Sequence, residues 1–291
     1  MTYSWVEDRG RALVQVGILG SLHVIVRNGH VEIKASQQRV LLAALAVRTG
    51  NVVSAEDLAK AIWDEKPPEK WRPTLRGLVR RLRSVLGDEA NLIITEPGSG
   101  YRLDANPDDI DILAFESLRR DGLAAAGTGN WQRALDTLRK AEVLWRGTPF
   151  ADTPSEHLRG EYVHYLDMQL LRVRETRIEA AIRFSQRASA DAVPELHLLV
   201  HAYPDRGHLR WLLMLALQRA DRQRDAVDAF RDAWQYFKAE LGTEPGHALR
   251  DLNQRILDGD PQLRSEIFDE APWAWSGRNE DAMSAPLPRH A

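Results

Sequence analysis

The stretch Trp71–Leu86, WRPTLRGLVRRLRSVL, limits the folds open to this chain more than any other. At helical spacing Leu75, Leu78, Val79, Leu82, Val85 and Leu86 share one side. Pro73 suits a first helical turn, where its missing N–H costs nothing, and Gly87 follows as a stop. Arg76, Gly77, Arg80 and Ser84 take the opposite face, with Arg81 and Arg83 on its flanks. Residues 70–86 hold six Lys or Arg and no acid. A basic face on an apolar back is what a helix needs to enter a DNA major groove. A solvated amphipathic surface helix is the competing reading of these residues alone.

The neighbours narrow the choice. Residues 92–95 (LIIT) and 101–103 (YRL) are β-prone runs around Glu96-Pro97-Gly98-Ser99-Gly100, the pattern of a hairpin. Upstream, residues 54–63 (SAEDLAKAIW) open on a Ser N-cap with acids in the first turn. They predict a second amphipathic helix, closed by the breaker loop Asp64-Glu65-Lys66-Pro67-Pro68-Glu69. Further upstream, residues 14–19, 22–27 and 30–34 are Val- and Ile-rich runs separated by Gly20-Ser21 and Asn28-Gly29, which predict a small three-stranded antiparallel sheet. Ser36 is expected to cap a helix over 37–49 with Val40, Leu41, Ala44, Leu45 and Val47 as its apolar stripe. Three strands, three helices and a hairpin in about 104 residues are the order of a winged helix-turn-helix.

At 291 residues the length suggests about two domains. The net charge of −3 conceals an asymmetry. Residues 1–104 carry 15 Lys or Arg against 12 Asp or Glu, a net of +3, and the remainder nets −6. Nucleic-acid affinity depends on where positive charge sits rather than on the total. There is no cysteine, which excludes disulfides, thiolate catalysis and Cys-ligated zinc. No apolar run approaches the roughly 20 residues of a membrane span, and MTYSWVEDRGR lacks the apolar core of a signal peptide. A soluble cytoplasmic protein without membrane contact is expected.

The wording of several stretches goes beyond the generic pattern. Gly17-Ile18-Leu19-Gly20, residues 38–45 (QRVLLAAL), residues 58–63 (LAKAIW), Thr74-Leu75, Leu82-Arg83, Leu86-Gly87 and Gly100-Tyr101-Arg102-Leu103 resemble the Streptomyces antibiotic regulatory protein family. Its members carry a response-regulator-type winged helix and activate secondary-metabolite gene clusters. Relatives often have Gln and a hydroxyl residue where this chain has Arg76 and Arg80, so the DNA sequence they read does not carry over.

Past Pro107-Asp108-Asp109-Ile110-Asp111 the chain becomes helical. Residues 129–136 (GNWQRALD) and 222–228 (RQRDAVD) align at an offset of 92, pairing Ala134 with Ala226, Leu138 with Phe230 and Ala141 with Ala233. Small residues at helix crossings around a large apolar one are a tetratricopeptide-like pattern, although ordinary helix pairs also produce it. Residues 144–150 (LWRGTPF) and 240–246 (ELGTEPG) resemble landmarks of the bacterial transcriptional activation domain, which the family joins to its winged helix. The expected fold is thus mainly α with a small β component. It comprises a flexible segment over 1–13, the winged helix-turn-helix over 14–106, all-α tetratricopeptide-like helices over 107–260 and an irregular tail over 261–291. Trp273 and Trp275 in that tail suit a small docking motif or incidental packing equally well.

Catalytic and cofactor chemistry finds no setting. There is no Gly-x-x-x-x-Gly-Lys-Ser/Thr loop, and no nucleophile–base pair or carboxylate dyad is recognisable. His197 and His201 have the i, i+4 spacing of a helical metal pair but no accompanying Glu-x-x-His or Cys, so no metal is expected. Trp63, Trp131, Trp145, Trp211 and Trp234 lie in amphipathic patterns and are expected in the core.

A sequence-specific transcriptional activator is therefore the leading reading, and a helical-repeat adaptor that binds a protein is the alternative. Arg76 and Arg80 point away from the apolar stripe and are assigned to base edges. Thr74, Arg81, Arg83 and Arg102 are assigned to phosphates or groove walls, and Arg72, Ser84 and Ser99 complete the candidate surface. The resemblance further implies that the loop from Asp64 through Glu69 touches RNA polymerase. It also implies direct-repeat sites read by two copies, with weak self-association through the helical half.

Overall fold

The computed structural model describes residues 14–27 and 29–265; the expectations for 1–13 and for Trp273 and Trp275 lie outside them. The described chain forms two compact units, one of residues 14–119 with 140–170, the other of residues 120–139 with 171–265.

In the first unit β1 (Val14–Gly17), β2 (His23–Val26) and β3 (Gly29–His30) form an antiparallel sheet in that order. The strands are shorter than their apolar runs. β1 stops at Gly17 because the Ile18 and Leu19 amides donate to the Asp111 carboxylate, at 2.8 and 2.9 Å, instead of to a strand.

α1 (Ser36–Ala46) is buried on every side from Val40 to Ala46 and forms the centre of this unit. Ser36 is its first residue, not its cap: Ala35 holds that position, and its carbonyl receives the Gln38 and Arg39 amides. The helix also ends three residues before Thr49. The chain turns there so that Gly50, at φ +78°, donates its amide to the Leu103 carbonyl.

β4 (Val53–Ser54), which the sequence reading did not anticipate, precedes α2 (Ala55–Trp63). Ser54 caps α2 as expected, its Oγ accepting the Asp57 amide at 3.0 Å. α3 (Trp71–Leu86) spans the expected residues and buries Leu75, Leu78, Val79, Leu82 and Leu86. Val85, at the margin of that apolar sector, is 37% exposed.

After a 3-10 turn, β5 (Ile93–Glu96) and β6 (Gly100–Leu103) form the hairpin, with Ile93 opposite Leu103 and Thr95 opposite Tyr101. β4 pairs with the far side of β6, giving the order β4-β6-β5. That pairing requires Gly100, whose φ is +147° and where a Cβ would fall 2.0 Å from the Val53 carbonyl oxygen.

Residues 140–170 complete this unit. They include the end of α5 (Trp131–Val143), which follows α4 (Asp111–Gly127), and the first half of α6 (Glu156–Phe184). Between α5 and α6 the chain wraps irregularly over the β1–β2 turn. Arg146 donates its amide to the Leu19 carbonyl at 2.8 Å, Phe150 to Ile18 at 3.0 Å and Ala151 to Gly20 at 3.2 Å. The Leu22 amide donates to Asp152 Oδ1 at 2.7 Å. Phe150, Leu158, Tyr162 and Leu166 are buried.

The second unit contains α7 (Gln186–Ala202), α8 (Gly207–Arg219), α9 (Gln223–Glu240) and α10 (His247–Leu257), each packed on the one before. α8 is buried throughout from Leu209 to Arg219. α5 and α9 start 92 residues apart, the offset found in the sequence. Ala134, Ala141, Ala226 and Ala233 are fully buried. Trp211 is a core residue, whereas Trp234 is 37% exposed, and Trp63, Trp131 and Trp145 are half-buried. Pro261–Arg264 form a 3-10 turn with Leu263 buried, where irregular chain was expected. Arg219 Nη1 holds that turn through the Leu263 and Ser265 carbonyls. The molecule is mainly helical, with a winged N-terminal part and an all-helical C-terminal part.

Candidate nucleic-acid interface

α1, α2 and α3 pack on one another, and α3 turns its apolar stripe onto α1. This leaves Arg76, Arg80, Arg81 and Ser84 exposed along the outer face. Among the described residues no acid pairs with these three arginines, so the face keeps its full positive charge. Two turns of helix separate Arg76 from Ser84, about 12 Å at 1.5 Å per residue. A helix is about 10–12 Å across with its side chains, which a major groove about 12 Å wide admits.

The remaining sequence candidates divide differently. Thr74 Oγ1 donates to the Lys70 carbonyl at 2.9 Å in the first turn. Arg72 is paired with Glu56 of α2, and its guanidinium lies 4.5 Å from the Trp71 ring centre. Arg83 turns toward the hairpin, where Nε donates to the Ile93 carbonyl at 3.1 Å and Nη2 to Thr95 Oγ1 at 2.8 Å. Arg102, on the outer face of the hairpin, lies between Glu96 at 3.3 Å and Asp104 at 2.6 Å. Its charge is answered within the protein, a pairing that side-chain alternation in a hairpin makes legible afterwards: Glu96, Arg102 and Asp104 share one face. Ser99 sits exposed at the hairpin tip beside Gly98, which has φ +78°.

The loop after α2 also splits. Glu65, Lys66, Pro67, Pro68 and Glu69 are exposed. Asp64 is not free: Oδ1 accepts the His157 amide at 3.0 Å and so caps the start of α6. Just before α6, Ser155 Oγ donates to the Ala61 carbonyl at 2.7 Å and accepts the Leu158 amide at 3.2 Å. Sequence spacing could not show this, because the partners are 93 and 94 positions apart. His197 and His201, at which no metal is expected, are both exposed on α7. Among the described residues no helix is long and apolar enough to cross a membrane.

Comparison with known proteins agrees with this architecture. Residues 31–103 match the family described as "Transcriptional regulatory protein, C terminal", and residues 110–257 match "Bacterial transcriptional activator domain". The chain is 33% identical to Regulatory protein AfsR of Streptomyces coelicolor over 88% of its own length, but spans only 25% of that protein. It is 30% identical to Regulatory protein DnrI of Streptomyces peucetius, covering 86% of this chain and 94% of that one. The solved structure of Mycobacterium tuberculosis EmbR in complex with a low affinity phosphopeptide superposes with a TM-score of 0.78 at 29% identity, covering 86% of this chain and 66% of that one. With a winged helix followed by the activator domain, and with relatives matched through both, the chain belongs to the Streptomyces antibiotic regulatory protein family.

Proposed function

We propose that this protein is a sequence-specific DNA-binding transcriptional activator of a secondary-metabolite gene cluster. α3 enters the major groove and the β5–β6 wing meets the adjacent backbone. The observation that carries the reading is the outer face of α3, where Arg76, Arg80 and Arg81 stand exposed without an acid partner among the described residues. Arg76 and Arg80 take base edges, while Arg81 and the Ser99 tip take phosphates. Two copies in the cytoplasm occupy direct repeats, because one winged helix reads about half a dozen base pairs, too few for a genomic address. RNA polymerase is recruited through the exposed part of the loop, Glu65 through Glu69. Footprinting on the promoters of neighbouring genes tests the reading, and an equal footprint on random DNA overturns it. Inserting about five base pairs between paired sites turns one copy to the far side of the duplex, since a turn is about 10.5 base pairs. Undiminished affinity there would overturn the paired arrangement.

The adaptor reading draws on a cleft of about 290 Å³ in the second unit, with Val200, Leu213, Leu217 and Ala229 as apolar lining and Asp225, Asp228 and Asp232 along α9. A chain that binds duplex no more tightly at low salt than at high salt would favour it.

A further inference from the structure

β5 is the outer strand of its sheet. The Asp104 amide donates to the Leu92 carbonyl at 2.7 Å, and antiparallel pairing alternates from there. Residues 94 and 96 therefore bond to β6, while the main-chain groups of Ile93 and Thr95 point away from it, along an open edge. Such an edge has nothing of its own to hold it. Arg83 fills the position. From the last turn of α3 its guanidinium takes the Ile93 carbonyl with Nε at 3.1 Å and with Nη2 at 2.5 Å, and Nη2 also takes Thr95 Oγ1 at 2.8 Å. The residue lies seven places after Arg76, on the same line of the helix, so charge pattern alone would send it to DNA.

We propose that Arg83 is a positioning residue rather than a DNA contact: it braces the wing against the recognition helix and so sets where the Ser99 tip meets the phosphate backbone. The proposal rests on the reading of α3 as the DNA-entering helix. Three observations favour a brace. The planar fork donates in two directions that a lysine ammonium cannot reproduce together. Its acceptors, the Ile93 carbonyl and the Thr95 hydroxyl, both belong to β5, so the guanidinium is spent on the wing. The bonds tie the two elements that must touch neighbouring parts of one duplex.

The test uses the full chain carrying Arg83→Lys, Arg83→Gln or Thr95→Val, with two readouts. Without DNA, amide exchange is followed across residues 94–100, with the urea midpoint measured alongside. With DNA, a mixed-sequence duplex of about 30 base pairs, three helical turns, is titrated at two salt concentrations. A brace predicts that Arg83→Lys and Arg83→Gln both speed wing exchange about tenfold, the signature of local opening, with the urea midpoint little moved. Both should weaken the duplex alike, and Thr95→Val, which changes no charge, should shift both readouts the same way to a smaller extent. Ser99→Ala should then cost less beside Arg83→Gln than alone, because the tip is already displaced. The opposite pattern overturns the proposal: wild-type binding by Arg83→Lys, unchanged wing exchange in Arg83→Gln, and a salt slope shallower by about 0.9, the loss of one phosphate. If the wild-type chain binds no duplex, the reading of α3 fails, and the exchange readout decides the brace by itself.

Discussion

The Asp111 carboxylate, with no exposed surface, lies 2.9 Å from the Arg146 guanidinium in the interior of the first unit. The same carboxylate accepts the Ile18 and Leu19 amides, and Arg146 Nη1 continues to the Ser21 carbonyl at 2.8 Å. Burial pushes the Asp111 carboxyl above the ordinary aspartate value, against the pull of the Ile18 amide and the Arg146 charge. Gly17 makes the approach possible, since a Cβ there would fall 2.4 Å from Arg146 Nη2. Two family stretches far apart in sequence, residues 17–20 and 144–150, are thus the two sides of one joint.

Removing one partner of a buried pair strands the other. Arg146→Met is expected to destabilise the chain by about 3–5 kcal/mol, measured by urea unfolding. Adding Asp111→Asn to it should cost far less than the sum of the single changes. A chain cut after Asn106 loses both residues and the buried Phe150 and Tyr162, so circular dichroism should show it less folded than a chain cut after residue 170.

Gly100 admits no side chain. Gly100→Ala combines a positive φ with a clash against the Val53 carbonyl and should cost about 3 kcal/mol or more, separating β4 from β6. Amide exchange at Val53 and Tyr101 would report the separation, and protection equal to wild type would refute it.

On DNA the arginines should part company. Arg76→Ala should cost about 1–3 kcal/mol on a footprinted site and relax base preference there. Arg102 is held by Glu96 and Asp104, so its removal should cost less. Changing both acids to their amides should tighten binding to any duplex and steepen the salt slope by about 0.9, as one more phosphate contact becomes available. Equal losses on specific and random DNA for Arg76→Ala would remove its base-reading role.

The loop after α2 should separate by residue as well. Asp64→Ala removes one of the two side-chain acceptors at the start of α6, the other being the Ser155 hydroxyl, and is expected to cost about 1 kcal/mol of stability. Neutralising Glu65 and Glu69, which are exposed, should leave the melting temperature and DNA affinity alone and reduce transcription in a reconstituted assay. Undiminished transcription would make the loop a connector only.

In the second unit His208 Nε2 lies 3.4 Å from Glu179, beside Glu175 and Arg183. Burial pulls the imidazole pKa down, but the Glu179 bond and charge outweigh it, so the value stands above 6.5. A raised histidine pKa stabilises the fold most below its unfolded value, and that contribution is lost as pH rises through the folded value. Thermal stability should therefore decline upward from about pH 6.5, and His208→Gln should flatten the decline. An unchanged profile in that variant would place the dependence elsewhere.

Local chemistry was legible in the sequence wherever one element carried its own signal. The apolar period of α3, the Ser54 cap and the Gly100 turn depend on residues a few places apart, and each produced an element where expected. The offset between α5 and α9 was visible for the same reason, because buried alanines repeat with the helices. The structure alone decided which charges were free. Arg76, Arg83 and Arg102 look alike in a string of letters, but Arg83 meets the open edge of β5 and Arg102 meets two carboxylates across a hairpin, leaving Arg76 to the solvent. It alone decided the extent of the first unit too. Asp64 finds His157, and Asp111 finds Ile18, 93 positions away in each case. Partners so distant are chosen by the packing of whole elements around α1, an outcome that no short-range period encodes.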